Sequence, residues 1–145
     1  MTKWPDIERL LPHRKPFLLI DKVIDYKKGF LIASKWVDRS DSYFEGHFPS
    51  NPIVPGVILI EIMTQACGAL NRLDRSSKDA DIQPRPGKLA KIDNAVFHKE
   101  VYPDTALLIE SKIILRIGKL CKFEANIKTD NELISKSSIV ISSPY

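Results

Sequence analysis

His47 and Glu61 are the two side chains of this 145-residue chain whose types and neighbourhood could do proton chemistry. His47 lies between Gly46 and Phe48. Pro49, Pro52 and Pro55 follow, then Gly56, then an apolar run that carries Glu61 as its acid. A histidine can serve as a base near neutral pH. A carboxyl in an apolar wall is disfavoured as an anion and can stay protonated as an acid. Backbone N–H groups at a helix start carry partial positive charge, so Gly56 could polarise a carbonyl. Gln65 is four residues beyond Glu61 and on the same helical face. A base, an acid and an oxyanion donor are the parts needed to remove a proton alpha to a carbonyl and expel a beta-hydroxyl as water. The residues alone leave other readings open: a structural histidine, an acid paired with Lys or Arg, a loop that is merely stiff.

The elements that must position these groups follow from pattern. Residues 4 to 12 read as a short helix, with Ile7, Leu10 and Leu11 on one side and Pro12 ending it. Phe17 to Ile24 and Phe30 to Val37 read as two strands joined at Lys27-Lys28-Gly29. Residues 38 to 56 form a long loop stiffened by proline, and long ordered loops tend to carry function. Val57 to about Asn71 is too long for a usual strand and reads as a helix, apolar almost all round and so central and buried. Residues 74 to 88 read as a polar surface loop. Four more strands are expected at about 89–97, 105–117, 120–129 and 132–141. Leu107, Ile109, Ile113 and Leu115 should share one face, and Cys121, Phe123, Ala125 and Ile127 another. Gly118-Lys119 and Asp130-Asn131 supply short turns, hence an antiparallel meander. The expectation is an α+β domain over residues 1–145, an antiparallel sheet curled around one helix.

Composition narrows the rest. Hydrophobic residues make up 43% and charged residues 28%, which suits a globular domain. The net charge of +4 favours an acidic partner, and no Lys/Arg block tracks nucleic acid. The apolar run is too short and too broken to span a bilayer. His13, His47 and His98 are scattered, so no metal is expected. Cys67 and Cys121 read as reduced thiols, which fits a reducing, cytoplasmic setting.

These residues carry a family resemblance. Leu11-Pro12-His13-Arg14-Lys15-Pro16-Phe17-Leu18-Leu19-Ile20-Asp21 resembles the opening motif of the FabZ-type beta-hydroxyacyl-acyl-carrier-protein dehydratases of the hotdog fold. Gly46-His47-Phe48-Pro49, Asn51-Pro52, Pro55-Gly56-Val57 and Glu61 through Gln65 resemble the active-site motif at that family's spacing. Ala90 to Phe97 resembles the strand that follows. The resemblance implies His47 as general base, Glu61 as acid and Gly56 as the backbone donor to the thioester carbonyl, with no metal or cofactor. It further implies a homodimer, with His47 from one subunit meeting Glu61 of the other, and assembly to a hexamer. The acyl chain would arrive on the phosphopantetheine arm of acyl carrier protein. Gln65 is a candidate to orient Glu61, and Phe44, Phe48 and Val54 are tunnel candidates. His13 and Arg14 read as structural, and Arg85, Lys88, Lys91, Lys99 and Lys119 are candidate docking cations. Ser50 departs from a usual Gly, Val54 from Met, Ile62 and Thr64 from Ala, and Pro103-Asp104-Thr105 from Pro-Gly-Asp. The bulkier helix residues leave room for a specialised dehydratase of a polyketide or aryl-polyene pathway. Two further readings compete with a dehydratase: a hotdog thioesterase, and a non-catalytic subunit that binds acyl carriers.

Overall fold

The computed structural model describes residues 3–75 and 83–145. Its order is α1 (Ile7–Leu10), β1 (Lys22–Lys27), β2 (Phe30–Val37), a 3-10 turn at Ser42–Phe44, α2 (Gly56–Arg75), β3 (Lys88–Phe97), β4 (Thr105–Ile117), β5 (Leu120–Thr129) and β6 (Glu132–Ser142). The strands form one antiparallel sheet in the order β1-β2-β4-β5-β6-β3. Hairpins join β1 to β2, β4 to β5 and β5 to β6, while β3 lies at the far edge beside β6. The turns use the residues that their backbones require. Gly29 and Gly118 have positive φ. Asp130 and Asn131 both have positive φ, as a two-residue turn between right-twisted strands demands. Asp104 also sits at φ 63, where the related pattern carries glycine; short polar side chains tolerate this region best.

The core lies between α2 and the sheet. Ile62, Met63, Ala66 and Leu70 of α2 are fully buried in one cluster with Leu107, Ile109, Phe123, Ile127 and Ile139. Each large side chain buried this way contributes roughly 1.5–3 kcal/mol. The alternating face of β5 is as expected, with Cys121, Phe123, Ala125 and Ile127 all inward.

Five details differ from the sequence pattern. α1 is one turn, not nine residues. Phe17–Ile20 is not a strand, and β1 begins only at Lys22. The reason is that Gln65 takes this segment's backbone groups: Leu19 N–H donates to its Oε1 at 2.9 Å, and its Nε2 donates to Phe17 O at 2.8 Å. Leu115 is half exposed rather than inward, because a bulge between Ile113 and Leu115 shifts the pairing by one residue. α2 is not buried all round: Val57 is 72% exposed, and Glu61, Thr64 and Gly68 are partly open. The helix also runs on to Arg75, and residues 76–82 of the expected surface loop lie outside the described residues.

Candidate active site

The loop before α2 is pinned at several points. Ile53 N–H donates to His47 O at 3.0 Å, and Phe48 and Asn51 exchange backbone hydrogen bonds. Val54 N–H donates to Val101 O at 2.8 Å, which ties the loop to the segment after β3. Pro55 then starts the helix. Its carbonyl accepts the Ile58 and Leu59 amides, and it has no N–H of its own. Gly56 and Val57 therefore hold the first amides of α2, at the positive end of a 20-residue helix. A side chain at Gly56 would meet the Phe97 ring at 3.3 Å, so glycine lets β3 close on the helix start.

His47 is half-buried and stacks on Phe48, with ring centroids 4.2 Å apart. Its Nδ1 lies 3.0 Å from Ile53 O. A carbonyl can only accept, so this contact needs the proton on Nδ1, and in the neutral ring Nε2 then holds the lone pair. The ring is thus oriented as a base would be.

Glu61 stands one and a half turns into α2. Its side chain is 23% exposed, so it is sheltered rather than sealed in apolar surroundings. Gln65 Nε2 donates to Glu61 Oε1 at 3.0 Å. The same amide group serves Leu19 and Phe17, so all of its strongest hydrogen-bonding directions are committed. Glu61 is therefore held by a side chain that is itself locked. Oε2 is left as the oxygen able to carry a transferable proton.

Sequence reasoning missed the place of His13. Read as structural, it lies with Nε2 3.6 Å from Glu61 Oε1, while its Nδ1 is buried without a hydrogen-bond partner. The signal available was its position in the motif that also supplies the two backbone groups taken by Gln65.

Glu61, His13 and Gln65 line one pocket with Thr64, Gly68 and Leu89. His47 is not among its lining residues, and among the described residues no hydrogen bond or ion pair joins His47 to Glu61. Phe44 and Val54 are buried in the core, Phe48 is 49% exposed, and none of the three lines this pocket. Of the candidate docking cations, Lys99 pairs with Glu132 and Lys91 with Asp93, while Arg85 lies over Tyr145. Among the described residues no group of His, Cys, Asp and Glu is arranged to hold a metal, and no helix is long and apolar enough to cross a membrane.

Comparison with known proteins shows the family. A family model described as a FabA-like domain matches residues 11–138. The chain is 36% identical over 137 residues to the 3-hydroxyacyl-[acyl-carrier-protein] dehydratase FabZ of Lactococcus lactis subsp. cremoris, covering 92% of this chain and 90% of the relative. It is 38% identical over 139 residues to the protein of the same name from Teredinibacter turnerae, covering 93% and 92%. Among solved structures, it is similar in fold to the dehydratase heterocomplex ApeI:P from Xenorhabdus doucetiae, with a TM-score of 0.84 and 21% identity over 99% of this chain and 93% of that one. A hypothetical thioesterase protein with coenzyme A from Streptococcus pneumoniae shares the fold at a TM-score of 0.63 and 12% identity, covering 83% and 82%.

Proposed function

This chain belongs to the FabA-like domain family as a FabZ-type dehydratase of the hotdog fold, and on that premise we propose which of its residues carry the reaction. The enzyme eliminates water from a 3-hydroxyacyl thioester on acyl carrier protein to give the trans-2-enoyl thioester, a hydro-lyase step of fatty acid biosynthesis. In the proposed scheme His47 Nε2 takes the alpha proton. The electrons of that C–H bond form the new double bond, and the beta C–O bond breaks. Glu61 gives its Oε2 proton to the leaving hydroxyl, which departs as water. The Gly56 amide holds the negative charge that builds on the thioester oxygen. No cofactor enters this scheme. The single observation that carries it is Glu61 held by the locked Gln65 toward a pocket, on the helix whose first amide is Gly56.

His47 and Glu61 do not meet within this chain, which supports a site shared between two copies. β3 supports it too, since it is an edge strand with Leu89, Ile92 and Phe97 each at least 40% exposed. Phe97 of that strand also touches Gly56. The proposed assembly is therefore a cytoplasmic homodimer, extendable to a hexamer, that receives its substrate from acyl carrier protein. Phe48 is the tunnel candidate best placed to meet the substrate from the His47 side.

The test is loss of water from a 3-hydroxyacyl carrier thioester, read by mass spectrometry. His47→Ala and Glu61→Gln should each lower kcat by about 10²-fold or more. Co-expressed His47→Ala and Glu61→Ala chains should recover about a quarter of wild-type activity, because half of randomly paired dimers then hold one intact site. Full activity in either single variant would remove the assignment, and no recovery on mixing would place both groups in one subunit. Release of free thiol without enoyl product would mark a thioesterase instead.

A further inference from the structure

The pocket beside Glu61 has a far end. Glu61, Gln65, Gly68 and Asn71 line it from successive turns of α2, so the lined stripe is roughly 15 Å long at 1.5 Å per residue. At the Asn71 end the segment Ser143–Tyr145 touches the helix. Asn71 Nδ2 donates to Ser143 Oγ at 2.9 Å, and Arg116 Nη1 donates to Asn71 Oδ1 at 2.7 Å. Ser143 Oγ also accepts the Tyr145 amide at 3.1 Å and donates to Tyr145 O at 3.2 Å. Both polar atoms of the Asn71 amide and the Ser143 hydroxyl are thus engaged.

The Tyr145 ring is held as well as its backbone. The guanidinium of Arg72 lies 5.1 Å from its centroid and that of Arg85 lies 5.0 Å away, within the range where a cation is drawn to an aromatic face. The Tyr145 hydroxyl accepts the Arg85 amide at 2.9 Å. Pro144 and Tyr145 line the same pocket as Glu61. Gly87 lets the lead-in to β3 sit tight against this segment, since a side chain there would meet Ile141 Cγ2 at 3.1 Å and Pro144 Cδ at 3.4 Å. The pocket so bounded, partly open to solvent, measures about 150 Å³. A cavity of that size takes a benzene-sized group, about five or six carbon atoms.

We propose that Tyr145, clamped by Arg72 and Arg85, is the stop at the end of the acyl pocket and limits the substrate to short chains. The inference rests on the dehydratase reading, which puts the beta-carbon at Glu61. Counting from there, about six further carbons fill the cavity. Tyr145 is a specificity-determining residue and touches no reacting atom.

The experiment measures kcat/KM for 3-hydroxybutyryl and 3-hydroxydodecanoyl carrier thioesters and takes the long-to-short ratio within each variant. Wild type should favour the short substrate by tenfold or more. Tyr145→Ala should raise the ratio at least tenfold, Arg85→Ala should raise it less, and Tyr145→Trp should lower it. General structural damage slows both substrates together and leaves the ratio where it was. An unchanged ratio in folded Tyr145→Ala, or a wild type indifferent to chain length, overturns the inference and leaves the dehydratase reading intact. A wild type that yields no enoyl product at any length overturns both. Should Tyr145→Ala fail to fold, the opposite shifts expected of Arg85→Ala and Tyr145→Trp still decide, and no shift in either refutes the stop.

Discussion

Gln65→Leu is the substitution that most directly tests how the site is held. Gln65 is 1% exposed and makes three contacts at once: Leu19 N–H to its Oε1, and its Nε2 to Phe17 O and to Glu61 Oε1. Leucine preserves much of the volume and removes all three. The Leu19 amide is then buried with no acceptor, at a cost of about 1–3 kcal/mol, and the Phe17 carbonyl loses its donor too. The sum is about 3 kcal/mol, or a Tm fall of roughly 10 °C for a domain of this length. A urea melt should show a lower midpoint at an unchanged slope. Glu61 also loses the group that fixes its rotamer, so kcat should fall about tenfold to 100-fold, with a smaller change in KM. Gln65→Glu keeps an acceptor for Leu19 but loses both donors and sets a second carboxyl beside Glu61. Its catalytic loss should therefore equal or exceed that of Gln65→Leu. A Gln65→Leu protein within about 0.5 kcal/mol of wild type would refute the idea that this amide ties loop to helix.

Further expected outcomes are narrower. Gly56→Ala should cost about 1 kcal/mol in a denaturant melt, since the new methyl must displace the Phe97 ring by a few tenths of an ångström. Its kcat should fall further than that cost suggests, and Phe97→Leu should restore part of both. Cys67 and Cys121 are buried, and burial pushes the Cys67 thiol from 9.0 up to about 12. Neither should react with a thiol reagent at pH 8 until the protein unfolds, and prompt labelling of the native protein would contradict the packing. The same shift has a sign for stability. The folded state keeps the Cys67 proton to about 12 while the unfolded chain loses it near 9, so this contribution is whole below pH 9 and disappears as pH rises toward 12. Alkaline melts of Cys67→Ala against wild type measure it. His13→Phe keeps the stack on Phe17 but removes the nitrogen 3.6 Å from Glu61, and kcat should fall with little change in Tm.

Much of the fold was legible in the sequence, as were several residues of the candidate site, and the reasons are physical. β2, β4 and β5 begin and end where alternation and turn residues put them, because one buried face leaves their register little freedom. The proline loop announced α2 because Pro55 can only begin a helix there, not continue one. Phe17–Ile20 escaped because its backbone partner is a side chain 46 residues away, which no local pattern shows. Leu115 escaped because a bulge is invisible to strict alternation. His47, Gly56 and Glu61 stood out by type and setting, while His13 did not, since its contact with Glu61 exists only after folding. Tyr145 carried no signal at all: its role comes from two arginines that the chain brings to it from 73 and 60 residues away.

The exposed edge at β3 has a consequence for how the protein must be handled. An apolar strand with open backbone groups is stable only when something covers it, and in the proposed dimer the cover is another copy at finite concentration. Stability then follows mass action, so apparent Tm and specific activity should both decline on dilution. Below the concentration at which copies pair, the same edge accepts any extended chain that presents itself. Activity lost on dilution should therefore return on concentrating the enzyme, unless another protein has already taken the edge.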